Sequence, residues 1–269
     1  MTDSLIEAVK QTAEIPGYVK YYWGYQYRLG LEALHPYLSR LGAFAPGKSV
    51  AEIGSAEGGV LAAFVKNGAY SGLGTDIAQE RLDFGERIAT LESLPMTFVN
   101  HNIMAEEPLP EWIGKFDLVL LRDVIEHLDD TQLALQNIKK IIKPGGYLFV
   151  TFPPYHSPFG GHQHTLASLP GKIPYIHLLP DFLFHPLIAS GRPADIEEVK
   201  RLQHIKLTPK KFIHAAESAG FQISHADYYL LRPVFKMKFG LPTISLTPLS
   251  NLPLVKSFLS LEAAYLLKK

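Results

Sequence analysis

Short apolar segments alternate with helical patterns over the first part of this chain. Five segments have the length and composition of strands: 49–53, 71–75, 96–100, 116–121 and 147–152. Helical patterns separate several of them, over 58–67, 78–91 and 131–142. Strands that alternate with helices form parallel βαβ units. The chain is therefore predicted to have an α/β fold with a doubly wound, mostly parallel, seven-stranded Rossmann-like sheet.

The alternation also divides the chain into regions of a single predicted domain, 1–269. Residues 1–44 form an N-terminal helical cap, with a helical pattern over 18–41 that Pro36 should divide. Residues 45–153 form the core, and residues 154–206 interrupt the alternation after the fifth strand. Residues 207–269 complete the sheet, with a helix over 209–219 and strands near 222–231 and 261–267.

Composition excludes several classes of protein. The 26 Lys and Arg residues balance the 26 Asp and Glu residues, so no net charge draws the chain to nucleic acid or to anionic lipid. The absence of cysteine excludes disulfides and thiolate metal sites. The N-terminus lacks the pattern of a signal peptide, and no apolar run is long enough to span a bilayer. We expect a soluble, cytoplasmic protein without stable membrane insertion and without a nucleic-acid partner.

One glycine-rich stretch matches the phosphate-binding loop pattern G-x-x-x-x-G-K-S letter for letter, from Gly42 to Ser49. That pattern binds phosphate only between a strand and a following helix, whose amino end faces the anion. Here Lys48 and Ser49 lead into a predicted strand instead. The stretch is therefore interpreted as a turn before the first strand.

The next glycine-rich stretch, GSAEGG from Gly54, is close to the dinucleotide fingerprint, with Asp76 about 20 residues further on. Two residues disfavour a dinucleotide. Ala56 adds a methyl group where the backbone must approach a pyrophosphate, and Glu57 places a carboxylate near the start of the helix. The loop suits a cationic cofactor better, although an NAD-dependent oxidoreductase remains the alternative from another class.

Five ordered motifs over residues 45–153 resemble those of class I S-adenosylmethionine (SAM)-dependent methyltransferases of the small-molecule type. EIGSAEGG resembles the first motif, with Ala56 in place of the middle glycine, and GLGTD ends with the acid of the second strand. NHNI follows the third strand, and FDLVLLRDVIEHLDD and IIKPGGYLFVTFP resemble the motifs of the fourth and fifth. The resemblance implies SAM as the cofactor, with Asp76 at the ribose hydroxyls, Asn102 at the adenine amino group and Ile103 beside the ring.

The strand ends support the same site independently, because ligands of open α/β sheets bind in the crevice at the carboxyl ends of the strands. Each residue has a structural alternative: Asp76 and Asp123 as helix caps and Asn102 as a turn residue. The predicted cofactor-binding residues are Glu52, Gly54, Ser55, Gly58, Asp76, Ile77, Asn102, Ile103, Arg122 and His127.

Methyl transfer to an oxygen requires removal of a proton, for which histidine is a natural base. The candidates are His127 and the histidines of PPYHSPFGGHQH, namely His156, His162 and His164. His162 and His164 are the predicted catalytic residues, because the segment follows the fifth strand and an extended HQH would place both imidazoles on one side. His164 is preferred, since His162 directly follows the Gly160-Gly161 pair. The alternatives are structural histidines or a metal site, although no acidic partner is near in sequence; we predict no metal.

Two aromatic regions flank this site. Residues 153–193 carry Tyr155, Phe159, Tyr175, Phe182 and Phe184 among prolines, which indicates either a lid over an apolar or aromatic acceptor or a homodimer interface. The N-terminal YYWGYQYR offers Tyr22, Tyr25 and Arg28 to close over the cofactor, or to pack within the helix layer.

The prediction is a SAM-dependent methyltransferase acting on a small molecule, with oxygen as the favoured acceptor atom. Carbon or nitrogen is the alternative within the class, and a cofactor-binding protein without catalysis is a third possibility. Fold alone does not determine the acceptor.

Overall fold

The central sheet matches the predicted doubly wound arrangement. The computed structural model describes residues 4–166, 168–252 and 254–269. Within them the strands are β1 Ser49–Ile53, β2 Ser71–Asp76, β3 Met96–Asn100, β4 Phe116–Arg122, β5 Ile142–Phe152, β6 Gln222–Leu231, β7 Ile244–Ser245 and β8 Glu262–Lys268. Their order is β3-β2-β1-β4-β5-β8-β6-β7. The first five strands are parallel, and β8 runs antiparallel between β5 and β6.

The sheet has eight described strands rather than the predicted seven. The additional strand, β7, pairs antiparallel with the outer edge of β6, where Ile244 lies opposite Leu231. Its two residues stand in the sequence LPTISLTP, too short a run between prolines to produce a strand pattern.

Helices cover both faces of the sheet. They are α1 Ser4–Gln11, α2 Gly17–Leu29, α3 His35–Arg40, α4 Gly59–Lys66, α5 Gln79–Leu91, α6 Thr131–Ile141, α7 Asp181–Ile188, α8 Pro193–Ile205, α9 Pro209–Ser218 and α10 Pro233–Phe239. Two π-helical turns occupy Gly30–Leu34 and Val255–Leu259. Short 3-10 turns occupy Pro110–Trp112, Ile125–His127, Gln163–Thr165, Pro170–Lys172, Ile176–Leu178 and Thr247–Leu249.

The predicted division of the N-terminal helix near Pro36 is confirmed. The π-helical turn separates α2 from α3, and Pro36 lies in the first turn of α3, where its missing N–H is tolerated. None of the helices in the described ranges is long and apolar enough to cross a membrane.

Alternate residues of the central strands belong to two different apolar cores. Ala51 and Val119 pack with α6 and α9 on one face, whereas Val50 and Leu118 pack with α4 on the other. Strands buried on both faces require near-continuous apolar sequence, which these segments have. Because the helices take both faces, the carboxyl ends of the parallel strands are left to form a cleft.

The predicted interruption after β5 is observed. Residues 154–206 contain 3-10 turns and the helices α7 and α8 instead of further strands. This insertion has a small apolar core of its own, in which Leu166, Phe184 and Val199 are fully buried. Helix α8 contacts the turn Ile125–His127, which follows β4. The insertion therefore reaches the carboxyl edge of the sheet.

Candidate active site

A cleft of about 510 Å³ opens at the carboxyl ends of β1 to β4. Nine of the ten predicted cofactor-binding residues line it: Glu52, Gly54, Ser55, Asp76, Ile77, Asn102, Ile103, Arg122 and His127. The tenth, Gly58, lies at the N-cap of α4, at the end of the same loop. Parallel strands bring these residues together although they are up to 75 positions apart in sequence.

The loop after β1 follows an unusual backbone path. Gly54, Ala56 and Gly58 have φ values of +70°, +49° and +71°, in the left-handed region that favours glycine. A Cβ atom at Gly54 would also overlap the side chain of Val124. Ala56 adopts this conformation at a cost of about 1 kcal/mol. The glycine pattern of the motif is therefore a requirement of the turn.

Asp76 holds this loop in place. Its Oδ2 atom accepts a hydrogen bond from the Ala56 N–H at 2.9 Å, and its Oδ1 atom accepts one from the Ala78 N–H at 3.0 Å. The second bond closes a turn before α5, whose N-cap is Ala78 without a side-chain cap hydrogen bond, so the helix-cap alternative for Asp76 is not realised. Each carboxylate oxygen has a further lone pair, which leaves capacity to accept from ligand hydroxyl groups.

A buried ion pair lies at the base of the cleft. Glu52 Oε2 accepts from the Leu61 N–H at 3.2 Å, and its Oε1 atom lies 3.3 Å from Arg122 Nη1. Arg122 Nη2 donates to Gln26 Oε1 at 3.0 Å. Burial raises the pKa of Glu52 to about 7, although the Arg122 charge opposes that rise. The network ties β1 and β4 to helix α2.

Helix α2 closes one side of the cleft. Tyr22, Tyr25 and Gln26 line it. The position of the two tyrosines agrees with the interpretation in which YYWGYQYR covers the cofactor site. Arg28 instead pairs with Glu32 on the helix surface at 2.9 Å. Sequence reasoning missed Gln26, whose only signal was its place one turn after Tyr22 on the same helix.

The loop after β3 forms a turn and also lines the cleft. Asn102 Oδ1 accepts from the Met104 N–H at 3.0 Å, which is the turn role considered for this residue. The buried Ile103 is fixed by its carbonyl, which accepts from Asn137 Nδ2 at 2.9 Å. Both residues line the cleft together with the buried His101, which the sequence did not single out.

Acidic and imidazole groups meet beyond β4. Glu126 Oε1 lies 3.8 Å from His127 Nε2 and 3.7 Å from His162 Nε2. Within the described residues, neither carboxylate oxygen of this buried glutamate has a hydrogen-bond partner. Burial raises the pKa of Glu126 to about 8. One ligand atom from each of the three side chains lies within 4.8 Å of the others, so the group has the composition to hold a divalent metal ion.

Glu198 of helix α8 fixes the orientation of His127. The His127 Nδ1 atom lies 2.5 Å from Glu198 Oε1, and Arg201 Nη2 donates to the His127 carbonyl at 2.6 Å. Burial alone lowers the pKa of His127, but the hydrogen bond to Glu198 and the nearby carboxylates raise it above its usual value. A carboxylate that accepts from Nδ1 holds the proton on that nitrogen and leaves Nε2 as the ring atom that can accept a proton.

His162 lies behind His127, outside the residues that line the cleft. Its ring centre is 4.8 Å from that of His127, and its backbone has a positive φ of 54°. Burial, followed by the neighbouring His127 charge, lowers the pKa of His162 to about 3. The imidazole is therefore neutral and a weak proton acceptor near neutral pH.

His164 lies one step further away. Its ring is 5.8 Å from that of His162 and packs edge-on against Phe159 at 5.6 Å. It also lies outside the cleft lining, and burial lowers its pKa. The expectation of an extended HQH segment is wrong, because Gln163–Thr165 form a 3-10 turn around the buried Gln163.

Arg232, at the end of β6, was also missed. It donates to Asp123 and, at 2.8 Å, to Glu262 at the start of β8. Asp123 does not cap a helix; it has a φ of +53° and lines the cleft. A single arginine more than a hundred residues from its partner gives no local sequence signal.

The comparisons with known proteins agree with this architecture. Residues 22–226 match the family model described as "Methyltransferase domain". A ubiquinone biosynthesis O-methyltransferase of Coxiella burnetii is 28% identical over 168 residues, which cover 62% of this chain and 68% of that protein. One of Rhizobium etli is 30% identical over 152 residues, covering 54% of this chain and 60% of that protein.

Solved structures show the same fold at low identity. A SAM-dependent methyltransferase of Mesorhizobium loti superposes with a TM-score of 0.54 at 14% identity, covering 89% of this chain and all of that one. A structure described as a sarcosine dimethylglycine methyltransferase of Galdieria sulphuraria gives 0.58 at 14% identity, covering 88% and 83%. Because the family model matches most of the sequence, the chain belongs to the methyltransferase domain family, as a SAM-dependent enzyme of class I.

Proposed function

We propose that this methyltransferase transfers the methyl group of SAM to an oxygen atom of a small-molecule acceptor. The observation that carries the proposal is the His127–Glu198 pair at the margin of the cleft. An oxygen acceptor must lose a proton, and an imidazole held by a carboxylate is suited to take it. The names of the relatives, ubiquinone biosynthesis O-methyltransferases, support oxygen as the acceptor atom.

The chemistry of the cleft fits the cofactor. SAM carries a sulfonium and an ammonium group and no phosphate. The loop after β1 places a buried carboxylate, Glu57, at its exit, where it lies 3.8 Å from Arg81 Nε. Glu52 and Asp76 add two more carboxylates to the lining.

Each predicted residue except His127, which we assign to the acceptor proton, has a proposed role in holding the cofactor. Asp76 accepts from the ribose hydroxyls, and Asn102 and Ile103 contact the adenine. Glu52 and Arg122 shape the end of the cleft that receives the amino-acid part. The backbone from Gly54 through Ser55 to Gly58 would run along the cofactor, and Ile77 and His127 line the same cleft.

The cofactor, when bound, supplies an already activated methyl group, so the protein mainly aligns the acceptor and excludes water. His127 takes the acceptor proton at Nε2, while Glu198 keeps the proton on Nδ1 and stabilises the imidazolium that forms. The raised pKa of His127 makes it a better proton acceptor than His162, whose pKa is about 3. His162 and His164 therefore act from behind His127, by packing and by limiting its motion.

Transfer assays with paired acceptors test the acceptor atom. A catechol and the corresponding aromatic diamine have similar shapes, so they separate oxygen from nitrogen as the nucleophile. We expect methylation of the catechol and little product from the diamine, measured by mass spectrometry of the product. Thermal shift with S-adenosylhomocysteine (SAH) and with NADH provides the control for cofactor binding. Stabilisation by SAH together with methylation of the diamine alone would retain the methyltransferase and reject the oxygen acceptor.

A further inference from the structure

A carboxylate and two imidazoles meet beside the cleft at a spacing close to that of a metal site. Glu126 Oε1 lies 3.8 Å from His127 Nε2 and 3.7 Å from His162 Nε2, and one ligand atom from each side chain lies within 4.8 Å of the others. Two ligand atoms of one tetrahedral zinc ion are about 3.4 Å apart, because each bond to the metal is about 2.0–2.2 Å long. The two carboxylate–imidazole distances therefore need to shorten by less than about 0.5 Å to hold an ion.

The carboxylate of this group has no partner of its own in the fold. Glu126 is 3% exposed, and neither of its carboxylate oxygens has a hydrogen-bond partner within residues 4–166, 168–252 and 254–269. Buried carboxylates are normally hydrogen-bonded, paired with a cation or bound to a metal ion. A cation held between this carboxylate and the two imidazoles would supply the missing partner.

The nearby arginines do not supply that charge. Arg201 donates to Asp129 at 2.9 Å, and Arg232 donates to Asp123. In the part of the chain that the structure describes, the nitrogens within ion-pair distance of Glu126 are those of the two histidines alone. A neutral imidazole has a lone pair to offer a metal ion but no charge to offer a carboxylate.

Both imidazoles are held in place from outside the group. Glu198 Oε1 lies 2.5 Å from His127 Nδ1, on the ring nitrogen that does not face Glu126. A carboxylate in this position orients a metal-binding histidine and raises its basicity. The backbone of His162 is fixed on both sides, because its N–H donates to the Phe159 carbonyl at 3.0 Å and its own carbonyl accepts from Thr165 Oγ1 at 2.9 Å.

The ligand set selects the kind of ion. Two imidazole nitrogens and one carboxylate oxygen suit Zn²⁺ and Co²⁺, whereas Mg²⁺ and Ca²⁺ prefer sites made of oxygen. The sequence leaves a metal site open as one interpretation of HQH, although no acid stands near that segment. The turn after β4 provides the acid, Glu126, which is 36 positions before His162.

We propose that Glu126, His127 and His162 bind a divalent ion of the zinc type, and that the bound ion inhibits methyl transfer. Of the three residues, only His127 lines the cleft, so the ion lies behind the lining and does not reach the acceptor. It takes the lone pair of His127 Nε2, the atom that accepts the acceptor proton. The inhibition rests on the proposed function, whereas the binding of the ion does not.

Binding is tested on the full chain after dialysis against a chelator. Calorimetry with zinc chloride should show one equivalent bound to the wild-type protein, and Co²⁺ should give the strong visible absorption of a four-coordinate site. Glu126→Gln and His162→Asn should each weaken zinc binding by at least about tenfold to a hundredfold, the scale for loss of even an outer-shell partner of a metal ligand. Circular dichroism should show both variants folded, and either one alone suffices for the test.

The matched control is His225→Asn. His225 Nε2 lies 3.1 Å from Asp227 Oδ2, so this pair is also an imidazole beside a carboxylate, but it has no second histidine in ion-pair contact. Its loss should leave the zinc affinity and the cobalt spectrum unchanged. Absence of stoichiometric binding to the wild-type protein, or equal weakening in His225→Asn and Glu126→Gln, would overturn the metal site.

The inhibition is tested by adding zinc to the transfer assay, with each protein compared with its own metal-free rate. Wild-type turnover should fall as the site fills and should recover with chelator, whereas Glu126→Gln should need at least about ten times more zinc for the same loss. Complexation of zinc by the catechol is the same for all proteins and cancels in this comparison. Stoichiometric binding with an unchanged or increased rate would overturn the inhibition, whereas a chelated protein that binds zinc but methylates no acceptor would reject the proposed function and retain the metal site.

Discussion

The two halves of the candidate active site are built in different ways. The cofactor half depends on consecutive strand ends and on the backbone of one loop, with Asp76 bonded to the Ala56 N–H only 20 residues away. The half around His127 depends on contacts between distant segments, such as His127 with Glu198 and Arg232 with Asp123. A site formed by local backbone geometry can be found from sequence motifs, whereas one assembled by an insertion cannot.

The largest expected effect separates His127 from the histidines behind it. His127→Asn should lower turnover about a hundredfold or more, the usual scale for loss of a general base, with little change in SAH affinity. His164→Asn is the control and should retain most of the activity, because that ring lies outside the cleft lining. Turnover and calorimetry on both variants provide the test. Equal losses of turnover and of SAH affinity in His127→Asn would make His127 part of the cofactor site instead of the base.

The second prediction concerns the cofactor half. Asp76→Ala should weaken SAH binding by about 1.5 to 3 kcal/mol, or about tenfold to a hundredfold, because charge-assisted hydrogen bonds are lost. Part of this loss arises from the freed Ala56 N–H. Asp83→Ala, on the exposed side of α5 where it bonds to Gln79, is the control. Unchanged calorimetric affinity in a folded Asp76→Ala protein would remove Asp76 from the site.

The same contrast determines how much the sequence could predict. Asp76 and Asn102 are predicted from the resemblance of GLGTD and NHNI to motifs of the family, and parallel pairing brings both strand ends to one edge of the sheet. For the proton acceptor, which we propose to be His127, the sequence offers His127 only as one of four candidate histidines, without a pattern that selects it. His164 was preferred over His162 on the flexibility of a glycine pair, but burial and the 3-10 turn at Gln163 determine where both rings point.

The insertion is predicted to interrupt the alternation and either to cover the acceptor or to form a dimer interface, but the contacts of α8 with the turn after β4 are not predicted. The sequence of α8 gives no sign that Glu198 and Arg201 face the turn after β4, because their partners, His127 and Asp129, are more than seventy residues away. Only the packing of α8 on that turn brings them together. The β7 strand was missed for a similar reason, since pairing with β6 defines it and its own pattern does not.

A pH profile gives the third prediction and tests whether the insertion controls the base. Neutral His127 is the reactive form, so kcat/KM should rise with pH through its pKa, which Glu198 helps to raise. Glu198→Gln keeps a hydrogen-bond acceptor but removes the charge, so this pKa should fall. The rising limb should then move to lower pH by about one unit, the lower end of the effect of a nearby opposite charge.

Glu197→Gln is the matched control for this profile, because Glu197 precedes Glu198 on the same helix and faces solvent. Its profile should coincide with that of the wild type. If Glu198→Gln leaves the limb in place while turnover falls, Glu198 acts only by holding α8 against the turn, and the titrating group is elsewhere.

The smallest expected effect concerns the strained backbone of the cofactor loop. Ala56 and Ser93 both have a φ of +49°, but Ala56 lines the cleft, whereas Ser93 lies in the turn after α5. Glycine relieves the left-handed strain but gains freedom in the unfolded chain, so Ala56→Gly and Ser93→Gly should each raise the free energy of unfolding by about 0.5 kcal/mol. Denaturant titration measures this gain. Because Ala56 lines the cleft and Ser93 is not among its lining residues, SAH affinity should increase in Ala56→Gly and stay constant in Ser93→Gly. An equal change in both variants would show that the affinity follows global stability, and that Ala56 in place of glycine has no specific consequence for the cofactor.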